Sequence, residues 1–325
     1  MGSKEVQDNY NWIDRGKLTQ ATKDFEETVK ASAKKREAVQ GDESAETAAS
    51  LEELKHQLIV KAKELHALVL AWNKYYVNSP RYREMLEKMY DNPEQELEER
   101  KKILDLPRDI EGWGATRYDY EWNEQHKIFL WWDVMMADDS RFSADLVMAH
   151  EIDHSLNSGN TIKGSTGKMG GIKGLNRKEY AYLLSRNKYN KKPDGSYIFD
   201  PSQINEHTDL KTSTDPDGYL SFWQYTTSDG EKVNLNRSHT YGIPEEVSDL
   251  STFRFALYKK EIFDAGTEIF TKETLEKARA NKVLSEDYVI QRFLDRFSSD
   301  EDLIEVMNTI AYIPNVDNDQ QQFMA

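Results

Sequence analysis

The segment Val147-Met148-Ala149-His150-Glu151-Ile152-Asp153-His154-Ser155-Leu156 carries the motif from which the fold and chemistry of this chain are predicted. It lies in a longer run, Phe142 to Asn157, whose apolar residues recur at helical spacing, so a helix is predicted there. His150 and His154 are four residues apart and therefore project from one helix face, one turn from each other. That spacing allows two imidazole nitrogens to bind one Zn²⁺ ion at about 2.0–2.1 Å.

Glu151 follows the first of these histidines and is rotated from it by about 100° around the helix axis. A carboxylate in that place can take a proton from a water that the metal activates. The segment therefore has the H-E-x-x-H pattern of zinc peptidases. One residue departs from the pattern, because Asp153 is charged where zincins usually have an uncharged residue. The alternative is a helix whose two histidines form hydrogen bonds and bind no metal.

A second segment, Ile243-Pro244-Glu245-Glu246-Val247-Ser248-Asp249-Leu250, contains candidates for the rest of the site. A two-histidine zinc site needs a third protein ligand and an open fourth position. Glu245 and Asp249 share a helix face, and a ligating histidine usually donates its other N–H to a carboxylate. Glu245 is the expected ligand and Glu246 the alternative. The acidic residues also suit a plain helix start, where they interact favourably with the helix dipole.

Together the two segments resemble the paired motifs of the gluzincin, or thermolysin-like, metallopeptidases. The resemblance implies that His150, His154 and Glu245 bind Zn²⁺. It further implies that Glu151 acts as general base and then general acid, and that Asp249 orients a ligating histidine. It covers less than half of the chain.

The same resemblance implies an α+β fold. The expected zincin-like metallopeptidase core has a small mixed sheet, the active-site helix and C-terminal helices, with a helical N-terminal extension. The aromatic-rich run 127–136 predicts a strand of that sheet. It would either pair with an extended substrate or lie in the core. Three Asp-Gly pairs predict a β-hairpin insertion; they are Asp194-Gly195, Asp217-Gly218 and Asp229-Gly230.

His239 and Tyr241 precede the second motif closely and are weaker candidates. Either side chain could donate a hydrogen bond to the oxyanion that forms when a carbonyl is attacked. A single histidine and a single tyrosine near a strand end are more often structural. Both are therefore candidate catalytic residues, and a purely structural role is the alternative for each.

Three regions are predicted along the chain: a polar extension at 1–49, a helical region at 50–110, and a catalytic domain at 111–325 with an insertion at about 159–240. The helix that begins near residue 50 is expected to lie outside the catalytic unit. The extension has few apolar residues, and ordering a backbone costs roughly 1–2 kcal/mol per residue. It is therefore expected to be ordered by other chains, with few contacts to its own. The alternative is an inhibitory pro-segment across the cleft.

Composition excludes several functions. The net charge of −15 argues against a nucleic-acid partner. The absence of cysteine removes disulfides, thiolate metal sites and thiol nucleophiles. No signal peptide and no apolar run of roughly 18–20 residues are visible, so a cytoplasmic protein without a membrane span is expected.

The leading prediction is a zinc-dependent metallopeptidase that acts on a peptide or protein substrate. The alternative is a structural component of a large assembly, such as a bacteriophage virion or tail, built on a zincin-like fold. In that case the protein would be located in the virion. Its N- and C-terminal tails would contact other protein chains.

Overall fold

Helices make up most of the chain that the computed structural model describes, namely residues 15–39, 44–104, 108–113, 126–131, 143–156, 177–197, 200–203, 211–213, 222–226, 232–234 and 243–311. In chain order they are α1 (Arg15–Ala38), α2 (Ala45–Val77), α3 (Pro80–Met89), α4 (Pro93–Leu104), α5 (Ala144–Leu156), α6 (Arg177–Arg186), α7 (Ile243–Lys259), α8 (Lys272–Ala280), α9 (Lys282–Glu286), α10 (Tyr288–Leu294) and α11 (Asp300–Thr309). Short 3₁₀ turns cover Lys188–Asn190 and Pro201–Gln203.

The described residues also form five short strands. Strand β1 (Arg108–Trp113) pairs in parallel with β2 (His126–Trp131), with Arg108 opposite His126. Strands β3 (Lys211–Ser213), β4 (Phe222–Thr226) and β5 (Lys232–Asn234) pair antiparallel in that order. In the described part of the chain these are separate two- and three-stranded sheets.

The predicted α+β, zincin-like fold is wrong, because the described part of the chain is an all-α body to which the short strands contribute only two small separate sheets. The aromatic run and the Asp-Gly pairs suggested a sheet as the organising layer. The helices and the short connections between them carry a large buried apolar core. A strand does form at His126–Trp131, but its only partner among the described residues is β1.

The N-terminal helix α1 packs on the chain's own core. Leu18, Phe25 and Val29, spaced by seven and four residues, form one buried stripe that faces α2, α5 and α7. By its composition this stripe is too narrow to fold alone. It needs no other chain, because three neighbouring helices cover it. The expectation that this segment makes few contacts with its own chain is therefore wrong, whereas the predicted region boundaries stay predictions.

The long helix α2 lies at the centre of the body. Ser44 caps its start by accepting from the backbone N–H of Thr47 at 3.2 Å. Near its end Trp72 is buried and packs edge-on against Phe255 of α7, with ring centroids 5.6 Å apart. This helix was expected to lie outside the catalytic unit. The structure places α2 against the helices that carry both motifs, because α2 packs against α5 and shares its aromatic core with α7.

A buried ion pair joins α4 to α6. Arg100 donates to Glu179 at 3.0 Å and to the hydroxyl of Tyr82 at 3.0 Å. The other carboxylate oxygen of Glu179 accepts from the backbone N–H of Ala311 at 3.0 Å. Hydrogen bonds to both partners offset the cost of burying these charges. The contact holds the start of α6 against the segment that follows α11.

No helix among the described residues combines the length and the apolar character that crossing a membrane would require.

Candidate metal site

The two motif segments lie on neighbouring helices. The H-E-x-x-H segment forms α5, as predicted for Phe142 to Asn157, and the second segment forms the first half of α7. The two helices pack against each other. On α5 the apolar side chains of Leu146 and Ile152 are buried in the core. The packing of these apolar faces sets which residues of the motifs meet.

His150 and Asp249 meet across this helix pair. The imidazole Nδ1 of His150 lies 3.2 Å from Oδ1 of Asp249, and both side chains are buried. The two side chains form a close buried contact, although Nδ1 makes no hydrogen bond of good geometry to the carboxylate. The sequence analysis had paired a ligating histidine with this same aspartate.

Two arginines hold the other side of Asp249. Arg292 of α10 contacts both carboxylate oxygens, with Nε 2.8 Å from Oδ2 and Nη2 against Oδ1. Arg296, two residues beyond α10, places Nη2 2.8 Å from Oδ2. Asp249 and Arg296 are completely buried and Arg292 nearly so. The carboxylate therefore has three charged or polar partners, from α5, α10 and the turn after α10.

These partners keep Asp249 ionised. Burial by itself raises the pKa of this carboxyl, but the nearby His150, together with Arg292, outweighs burial and holds its pKa below the usual aspartate range. An ionised carboxylate is the form that accepts from an imidazole N–H. The ionised state of Asp249 thus favours its contact with the imidazole of His150.

Glu246 lies on the same helix as Asp249 but has a different partner. Its Oε2 accepts from Nδ2 of Asn187 at 2.9 Å, and the side chain is fully buried. Burial raises the pKa of Glu246, and the nearby Arg296 and the Asn187 hydrogen bond offset this only in part. Glu246, the alternative ligand, is thus bound to Asn187 and forms no metal cluster with the other described His, Asp and Glu side chains.

The partners of the two α7 carboxylates come from adjoining segments. Asn187, which follows α6, forms an isolated antiparallel bridge with Phe297, which follows Arg296. The backbone N–H of Lys188 donates to the carbonyl of Arg296 at 2.8 Å. This bridge places Asn187 against Glu246 and Arg296 against Asp249, three residues apart on α7.

The remaining predicted site residues are located only in part. Glu151 and His154 lie on α5 and Glu245 on α7, but their side chains are outside the described set. His239 and Tyr241 fall outside the described residues altogether, as do residues 132–136 of the predicted strand. Asp153, the departure from the zincin pattern, is a buried side chain.

Sequence reasoning missed Asn187, Arg292 and Arg296. The two arginines are four residues apart, a spacing that places both side chains on one helix face. This spacing was the one signal in the sequence, but it does not distinguish two buried arginines from two exposed ones. Asn187 had no signal, because its role depends on the bridge to Phe297.

Comparisons of the chain with protein families, with curated proteins and with solved structures give no match.

Proposed function

We propose that this protein is a zinc-dependent peptidase whose metal site lies between α5 and α7. The observation that carries the proposal is the buried contact between His150 and Asp249. It joins the first histidine of the H-E-x-x-H motif to the aspartate of the second motif. Residues of two motifs that lie far apart in sequence thus meet in the pairing that a supported metal ligand requires.

The donor set fits Zn²⁺. Nδ1 of His150 lies 3.2 Å from a carboxylate whose pKa the surrounding charges hold below the usual aspartate range, which is the kind of partner that supports a ligating histidine. His150, His154 and Glu245 would hold the metal, a neutral-imidazole and carboxylate set suited to zinc. When bound, Zn²⁺ polarises the substrate carbonyl and activates the attacking water.

The chain's own residues have separate tasks in this proposal. Glu151 accepts a proton from the attacking water and then donates one to the leaving amine. Asp249 fixes the orientation of the His150 ring. His239 and Tyr241 remain candidates for hydrogen bonds to the developing oxyanion.

The alternative, a structural part of a large assembly, was suggested by the composition of both tails. The C-terminal tail lies outside the described residues, and the N-terminal segment would have to be ordered by other chains. Leu18 and Phe25 are instead buried in the chain's own core. The described residues of the N-terminal segment therefore give no reason to invoke a partner chain.

The proposal is tested with Glu151→Gln, which keeps the size of the side chain and removes the base. The purified wild type and the variant are loaded with Zn²⁺ and assayed on a quenched fluorescent peptide library and on casein. We expect the variant to retain zinc and to lose hydrolysis by about 10²-fold or more. Glu53→Gln, on the exposed face of α2, is the matched control and should hydrolyse as the wild type does.

Two results would reject the proposal. One is wild-type protein that binds no zinc. The other is hydrolysis that is equal in the wild type and in Glu151→Gln, because the activity would then come from another site or from a contaminant.

A further inference from the structure

Helix α1 meets the start of α5 through a pair of carboxyl groups. Asp145, in the first turn of α5, is completely buried. The carboxyl group of Glu26 on α1 is half-buried and lies within hydrogen-bonding reach of Asp145. Two carboxyl groups this close repel each other when both are ionised. The contact is therefore favourable only when a proton or a cation lies between the two groups.

Lys259 satisfies one oxygen of Asp145. Its Nζ, at the end of α7, contacts Oδ2, and the lysine side chain is also buried. The other oxygen, Oδ1, is buried and accepts no hydrogen bond from the described residues when Glu26 carries no proton. A buried acceptor without a donor is unfavourable. A proton on Glu26 would supply the donor that Oδ1 lacks.

We propose that Glu26 and Asp145 share one proton, and that this carboxyl–carboxylate hydrogen bond is a pH-sensitive latch between α1 and α5. In the closed latch the O–H group of Glu26 donates to Asp145. Once Glu26 has lost its proton, both groups are charged and α1 separates from α5 more often. The latch does not depend on the proposed zinc site.

The surroundings assign the proton to Glu26. Asp145 has the ammonium group of Lys259 at Oδ2 and lies where the dipole of α5 favours a negative charge. Burial, the charge of Asp145 and the hydrogen bond to it raise the pKa of Glu26, whereas Lys259 and Lys30 act in the opposite direction. The latch is therefore complete below the ordinary value of 4.5 and is lost as pH rises through the raised pKa of the folded chain.

Other charged groups on the elements around the pair leave room for this proton. They are Lys30 on α1, Lys61 on α2, Lys259 and Lys260 at the end of α7, and Asp287 at the start of α10. Lys30 is exposed, so solvent screens its charge. Lys61 lies 3.6 Å from Asp24. Asp287 adds a negative charge, which favours retention of a proton in this cluster.

Helix α1 is the element on which the latch acts. Glu26 follows Phe25 in the chain, and Phe25 and Val29 are buried against the body. Parts of a folded chain open locally with free energies between zero and that of global unfolding. Loss of the latch removes one of the contacts that oppose the opening of α1. The protonation state of Glu26 therefore changes how often this helix opens.

Hydrogen exchange of the full chain, followed by mass spectrometry, tests the latch. Protection of residues 15–38 is compared between the wild type and Glu26→Gln at equal pH, so that the intrinsic pH dependence of exchange cancels. At pH 4 the two proteins should be equally protected, because both side chains donate to Asp145. At pH 8 we expect about threefold to fivefold lower protection in the wild type, because only the glutamine amide still donates.

Glu27→Gln is the matched control, because Glu27 lies on the exposed face of the same helix. Its protection should follow the wild type at both pH values. Equal protection of α1 in the wild type and in Glu26→Gln at pH 8 would overturn the proposal.

Carbon-13 NMR of the side-chain carboxyl groups tests the shared proton itself. The signal of Glu26 is assigned from its absence in Glu26→Gln, and its titration midpoint should lie above the ordinary value of 4.5. In Asp145→Asn the midpoint should fall, because the repelling charge is gone. A wild-type midpoint at or below 4.5, or an unchanged midpoint in Asp145→Asn, would overturn the proposal. The wild-type titration and the exchange comparison leave Asp145 intact, so they decide the proposal even if Asp145→Asn does not fold.

Discussion

Asp249 accepts hydrogen bonds from two arginines and lies 3.2 Å from Nδ1 of His150 while it is completely buried. A buried charge is tolerated only when its partners are present, because removal of one member leaves the others uncompensated in a medium of low polarity. Asp249 therefore serves stability as well as the proposed site. The two roles can be separated, since only one of them depends on zinc.

Asp249→Asn keeps the shape of the side chain and removes its charge. We expect it to lower the free energy of unfolding of the metal-free protein by about 3–5 kcal/mol, because Arg292 and Arg296 lose their counter-ion. Urea denaturation measures the change. Asp300→Asn is the control: Asp300 pairs with Arg279 at the surface, and its loss should cost less than about 1 kcal/mol. Equal losses of stability in the two variants would contradict the role of Asp249 as the buried counter-ion of Arg292 and Arg296.

A second residue-scale prediction concerns Glu26 on α1. Burial and the neighbouring carboxylate of Asp145 raise its pKa, although Lys259 and Lys30 act in the opposite direction. The folded chain therefore holds this proton to higher pH than the unfolded chain does. The stabilising contribution of the proton is complete below the ordinary value of 4.5 and is lost as pH rises through the raised folded pKa.

Glu26→Gln removes this effect. We expect the variant to be more stable than wild type at pH 8, by no more than about 1 kcal/mol because the side chain is only half-buried, and equally stable at pH 4. Thermal unfolding across this pH range measures the difference. Glu27→Gln, on the exposed face of the same helix, should show no such trend. The prediction would be contradicted if the stability gain of Glu26→Gln over wild type grew as pH falls.

At the scale of elements, α1 is the clearest departure from what the sequence suggested. Its apolar residues are few, but Leu18, Phe25 and Val29 are all buried. At its first turn the guanidinium of Arg15 lies 4.2 Å from the ring centroid of Tyr258 on α7. The helix is thus attached to the body by core packing and by a cation–π contact.

Removal of this packing should destabilise the whole body. We expect Phe25→Ala to cost about 3–5 kcal/mol, the usual range for a fully buried phenylalanine. Glu27→Ala, on the exposed face, should change stability by less than about 0.5 kcal/mol. An inhibitory pro-segment would behave differently, because its loss would raise activity and leave the body folded. If deletion of residues 1–39 gives a stable and more active protein, the assignment of α1 to the core is wrong.

At the scale of the whole molecule, the sequence predicted the helices better than the architecture. The spacing in Phe142 to Asn157 identified α5, and the leucine spacing after residue 50 identified α2. The sequence pattern did not show that α1 and α2 pack against α5 and α7. An amphipathic stripe shows that one face of a helix is buried, but it does not identify the element that packs against that face. The fold class was inferred from motif resemblance and local strand signals, and it was wrong for that reason.

The candidate site was predicted in its motifs but not in its surroundings. The i,i+4 spacing placed Glu245 and Asp249 on one helix face, and the structure brings Asp249 to His150. The arginines that bind Asp249 lie outside both motifs, in a segment whose position depends on tertiary contacts such as Asp287 with Ser143. Local patterns reveal side chains that share an element. Contacts between distant elements follow from packing.

Zinc-edge anomalous diffraction from crystals of the zinc-loaded protein tests the central claim most directly. The account predicts one strong anomalous peak at the α5–α7 pair, about 2.0–2.1 Å from an imidazole nitrogen of His150 and of His154, with His150 Nδ1 still facing Asp249. A zinc-loaded crystal with no peak at these histidines, or with zinc bound only elsewhere on the surface, would contradict it.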